Sequence, residues 1–228
     1  MTGKFTKYLA YVFFIGIILI FVLNGADASQ TWVPIVRTIA FVLAITCGLI
    51  YVAIIVYCII ENKKIDKLID TDKYEELIAY SNKKLSKKAL ILENRKAYYH
   101  YLLLLSYLAK DEQEHIDEEF KNLEGQEFMF PVISYWRVCY YFSKGNYEGI
   151  EDSSNMFKNS KEVVRAPHKY SNLLDLLNAL TLYSKGDINQ SKEIIENLDT
   201  HNISMPCTIR SINIIKETKI NENENIAE

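Results

Sequence analysis

The residues best placed to do chemistry are Glu112-Gln113-Glu114-His115, an E-x-x-H of the kind that ligates iron inside helix bundles. On a helix, Asp111, His115 and Glu118 or Glu119 share one face, because residues three and four apart are neighbours. A di-iron bundle needs a second such motif and further glutamates from facing helices, and the second motif is lacking. The patch therefore reads as a solvated acidic face at a turn. His100, His168 and His201 each stand without an adjacent nucleophile. The chain carries no G-x-S-x-G, phosphate loop, H-E-x-x-H or dinucleotide fingerprint. Cys47, Cys58, Cys139 and Cys207 show no C-x-x-C and no zinc spacing, which agrees with a reducing location. No catalytic residue, metal or cofactor is expected, and the chain reads as a non-enzyme.

The elements around these residues fall into two unlike parts. Of the charged residues, only Lys4, Lys7, Asp27 and Arg37 lie in residues 1–60, which leaves 23 basic against 28 acidic side chains in residues 61–228. A mildly acidic soluble part does not suit phosphate binding, so no nucleic-acid partner is expected. Tyr8–Leu23 is an unbroken apolar run, and Thr38–Ile60 gives 23 residues without a charge. The second run is about 35 Å of helix, enough to cross a bilayer. The membrane region is expected over 1–60, with helices at about 8–23 and 34–60. Lys4 and Lys7 precede the first run, Lys63, Lys64 and Lys67 follow the second, and Asn24–Trp32 holds neither Lys nor Arg. Both termini should then face the cytoplasm, with Trp32 at the outer interface. The sequence around Ala26-Asp27-Ala28 also resembles a cleavage site. The uncleaved hairpin is preferred because a spanning segment follows so closely.

Past residue 60 the chain reads as helices that repeat. Segments beginning at Ser106, Tyr140 and Thr181 each run aromatic-rich helix, Lys-Asp or Lys-Gly, and a second amphipathic helix, and a fourth copy of the latter half starts at Asp72. Equivalent positions Tyr74, Gln113, Tyr147 and Ile188 are 39, 34 and 41 residues apart. Pro131, Pro167 and Pro206, separated by 36 and 39 residues, each precede an apolar helical stretch. Gly145 and Gly186 fall where a first helix ends and a left-handed residue is commonly needed. This is a helix–turn–helix unit of about 34–41 residues.

These residues resemble the tetratricopeptide-repeat family, most clearly in Tyr141–Ile150, YFSKGNYEGI. The resemblance covers roughly residues 70–220. The small residues expected where paired helices cross survive only as Ala179 and Ser191; Leu104 with Ile116 and Val138 with Ile150 replace them. The implied fold class is all-α, a transmembrane hairpin followed by a tetratricopeptide-like α-solenoid over 61–220, with Cys207–Lys219 as a capping helix. The acidic tail 221–228 is expected to be disordered. The resemblance places Tyr98, Tyr101, Tyr135, Phe142, Leu176 and Tyr183 along a concave groove suited to an apolar peptide or amphipathic helix. Each of these tyrosines can equally serve as core. Lys83, Lys84, Lys87 and Lys88 are candidates for contact with anionic headgroups, or a solvated connection. The expected role is a membrane-anchored scaffold that binds a protein partner. The alternative is an accessory subunit of a transport, secretion or immunity complex in which the hairpin carries the function.

Overall fold

The computed structural model describes residues 11–18, 22, 32–86, 93–126, 130–200 and 203–218, and every regular element among them is helical. Two compact units emerge from the contacts: Met1–Glu76 with Lys87–Lys96, and Leu77–Ser86 with Ala97–Glu228. The expected first helix is described only at 11–18 and 22; the connection 24–31 and the tail 221–228 lie outside the described residues.

The first unit is dominated by α1, Trp32–Asp70, whose 39 residues make a rod of about 58 Å. It runs past the expected end near residue 60, because Glu61–Asp70 contains neither Gly nor Pro and places Ile65 and Leu68 on one buried side. Among the described residues it is the one helix long and apolar enough to cross a membrane, and only 11% of its most apolar stretch is covered by protein. A soluble core helix would be covered. The hydroxyls of Thr38 and Thr46 donate to the carbonyls of Pro34 and Val42, each at 2.8 Å, so neither is left bare in the apolar run. The helical residues 11–18 approach α1 closely. A Cβ added at Gly16 would stand 3.3 Å from Cβ of Ala44, and one at Gly48 would stand 3.3 Å from the Phe13 ring. Where the apolar run ends, the Glu61 carboxylate is buried and pairs with Arg95 at 3.3 Å.

Among the described residues nine further α-helices follow: α2 (Tyr74–Leu85), α3 (Glu93–Lys110), α4 (Gln113–Asn122), α5 (Val132–Ser143), α6 (Ile150–Lys158), α7 (Lys161–Arg165), α8 (Ser171–Ser184), α9 (Ile188–Glu196) and α10 (Pro206–Glu217). Helices α1, α3, α5 and α8 end in the same turn. Each is closed by a left-handed residue: Asp72 at φ 53°, Asp111 at 61°, Gly145 at 73° and Gly186 at 91°. That residue's amide donates to the carbonyl three back, and the next amide donates to the carbonyl five back, onto Leu68, Tyr107, Tyr141 and Leu182. This is the Schellman arrangement, which satisfies two of the carbonyls a helix end leaves open. The four turns sit 39, 34 and 41 residues apart, the interval of the sequence repeat.

In the second unit α5 packs on α6, α8 on α9, and both α5 and α6 on α8. At the α8–α9 crossing the Ser191 hydroxyl donates to the Ala179 carbonyl at 2.9 Å, a closeness that only small side chains permit. Leu104, Ile116, Val138 and Ile150 are all buried, filling the corresponding places with bulk. Pro206 opens α10 and Pro131 stands just before α5. Pro167 instead opens a 3-10 turn, Pro167–Tyr170, and α8 begins only at Ser171.

Candidate partner-binding groove

The six residues expected along a groove separate into three groups. Tyr101 stacks between Phe130, at a ring separation of 4.7 Å, and Trp136, at 5.5 Å, while Tyr98 stacks on Tyr101 at 6.3 Å. Tyr98 and Tyr101 keep partly open surface, although burial pushes the Tyr101 phenol up to about 12. Tyr135, Phe142 and Leu176 are enclosed. The Tyr135 ring meets Phe157 at 5.8 Å, and its phenol is raised far above the ordinary tyrosine range by loss of water. Phe142 lies against Tyr183 at 5.2 Å and Tyr147 at 5.1 Å. Tyr183 is half-buried, and its hydroxyl shares a hydrogen bond of 2.9 Å with the Thr218 hydroxyl.

Helix α10 provides much of this enclosure. It packs against α9, its predecessor in the chain, and more extensively against α5. The Ser211 hydroxyl reaches the Cys139 carbonyl of α5 at 2.8 Å while also bonding its own Cys207 carbonyl at 2.9 Å. Arg210 clasps Asp111 in the α3–α4 turn with both guanidinium nitrogens, one bond being 2.7 Å. Cys139 and Cys207, far apart in sequence, are both enclosed with this contact, and burial raises both thiols. The stretch expected to be helical over 207–219 forms the helix Pro206–Glu217, and it crosses to α5 and the α3–α4 turn. A faint signal for this was available in Asp111, which with Asp72 replaces the glycine found at the same repeat position in Gly145 and Gly186.

The acidic patch is divided among other partners. Asp111 holds Arg210, Glu112 pairs with Lys110, and Glu119 is buried against Nδ1 of His100 at 2.8 Å. The His115 ring packs on Tyr107 at 4.7 Å. Among the described residues no three His, Cys, Asp or Glu side chains converge as metal ligands. Of the lysine cluster, Lys83 is exposed and Lys84 lies 5.0 Å over the Tyr80 ring. Lys87 and Lys88 lie outside the described residues. A separate polar cleft between α6, α8 and α9 holds Lys158, bonded to Asn178 at 2.7 Å, and Lys185, paired with Glu151 at 2.6 Å.

No protein-family model matches the chain, and no curated protein or solved structure matches it.

Proposed function

We propose that this chain is a membrane-anchored, non-enzymatic scaffold whose tetratricopeptide-like repeat domain faces the cytoplasm and binds a protein partner. The observation that carries this reading is the continuity of α1, a bare apolar rod that ends in the first of four matching helix-closing turns. Lipid is the environment in which such a rod is stable, since its backbone is bonded internally and its side chains gain nothing from water. The lysines at 63, 64 and 67 favour the cytoplasm for its charged end. Tethering raises effective concentration, so a weak groove suffices for capture. The half-open Tyr98–Tyr101 stack is where a partner's apolar side chains gain most contact. Lys83 and Lys84, with Lys87 and Lys88, would add attraction to anionic headgroups.

Replacing residues 1–60 with an unrelated anchor should preserve function in cells lacking the native chain. A photocrosslinker at Tyr101 should give one defined protein adduct in native membranes. Loss of function on the anchor swap, together with lipid-only adducts at Tyr101, would sink the reading. The contacts of Gly16 with Ala44 and of Phe13 with Gly48 favour a second reading. Close packing of two apolar segments through small residues suits a hairpin that docks within a membrane complex. In that case the anchor swap abolishes function and the Tyr101 adduct is dispensable.

A further inference from the structure

The buried face of α10 is unusual for a helix seated in a core. It offers Cys207, Thr208, Ser211, Ile212 and Ile215, three apolar side chains with two small hydroxyl-bearing ones. The Thr208 hydroxyl is buried facing Tyr135 and Cys139, whereas the Ser134 hydroxyl of α5 is buried with no hydrogen-bond partner and costs stability. Beyond the burial of Cys207, Ile212 and Ile215, α10 is fixed by polar contacts along its length and just past its end: Arg210 on Asp111, Ser211 on the Cys139 carbonyl, and Tyr183 on Thr218. The Arg210–Asp111 pair is partly open to water, with about a third of each side chain exposed, so screening weakens it. Asp111 accepts a left-handed backbone at φ 61° where the two later counterparts, Gly145 and Gly186, are glycine, and its carboxylate makes the clasp.

We propose that α10 is a displaceable internal occupant of a helix-binding seat formed by the α3–α4 turn, α5 and α9, and that the partner is an amphipathic helix of the same pattern. This rests on the scaffold reading and names its ligand class. Such a helix presents a basic residue to Asp111, a small residue where Ser211 meets the Cys139 carbonyl, and β-branched residues one and four positions later. Partner binding then requires release of α10, which acts as a built-in competitor for the seat.

The test uses the full chain in nanodiscs and a fluorescent peptide of residues 204–218. In the Arg210→Glu variant the resident helix loses its clasp while the seat is unaltered. The peptide should bind this variant at least tenfold tighter than the wild type. Maleimide labelling of Cys139, read by mass spectrometry, should speed up in the variant and slow again when the peptide is added. Absence of peptide binding to either protein, with Cys139 labelling unchanged, would overturn the proposal. Should Arg210→Glu fail to fold, amide exchange in the wild type decides instead. Exchange in α10 at least tenfold faster than in α5 supports release, whereas equal protection makes α10 ordinary core and ends the idea. If the peptide exchanges but Tyr101 captures only lipid in native membranes, the displaceable helix stands and the scaffold reading fails.

Discussion

Asp111 shows how one side chain can hold two jobs with opposite energetic signs. A left-handed backbone costs an L-residue about 1–2 kcal/mol, less for Asp, and glycine escapes it. Asp111→Gly should therefore change global stability by under about 0.5 kcal/mol, backbone relief offsetting a partly exposed ion pair of similar size. The same change should loosen α10, seen as faster exchange of its amides while the denaturation midpoint stays fixed. At Gly145, where no clasp compensates, Ala should cost on the order of 1 kcal/mol. The Arg210 guanidinium holds the Asp111 carboxyl below the usual carboxylate range. A depressed folded value means this contribution is whole above the unfolded pKa of about 3.9 and is lost as pH falls through the folded one. Protection of α10 should accordingly decline in acid below about pH 4; a profile flat to pH 2 would show the pair to be idle.

At the scale of elements, the four turns were legible in the sequence because a Schellman closure makes a local demand for a residue tolerant of positive φ. Gly145 and Gly186 announce it, and the repeat interval then finds Asp72 and Asp111. The end of α1 was less legible, since the charges after residue 60 mark the end of the apolar run but favour continued helix. The position of α10 left almost no trace. Its clasp joins residues 99 apart, and long-range pairing has no periodic signature. Tyrosines were ambiguous for a different reason: a ring that suits a groove also suits a core, and only packing separates Tyr101 from Tyr135. The Ala179–Ser191 crossing was read from its small residues, and it is sensitive to bulk. Ala179→Leu should cost about 1–3 kcal/mol by overpacking, read from the denaturant midpoint. A substitution tolerated at no cost would show that α8 and α9 can separate there.

For the molecule as a whole, the tyrosine-rich interior sets an alkaline limit. Tyr101, Tyr107, Tyr135, Tyr140, Tyr141 and Tyr147 all have phenols raised above 10, chiefly by burial. Raised folded values mean their shared contribution is complete below pH about 10 and is lost as pH rises and unfolded phenols ionise. Helicity in detergent should fall cooperatively above about pH 10, with tyrosinate absorbance rising in the same transition; earlier absorbance would place those rings in water. The unbroken course of α1 has a consequence of another kind, a matter of angular phase. Between the apolar run and Asp72 there is no joint, so each residue inserted within 61–70 rotates the closing turn at Asp72 by about 100° about the apolar run. With one added residue a photocrosslinker at Asp70 should lose its native neighbour, and with seven, close to two full turns, it should regain it. The charged end of α1 behaves in this respect as a spindle, and its length as a dial.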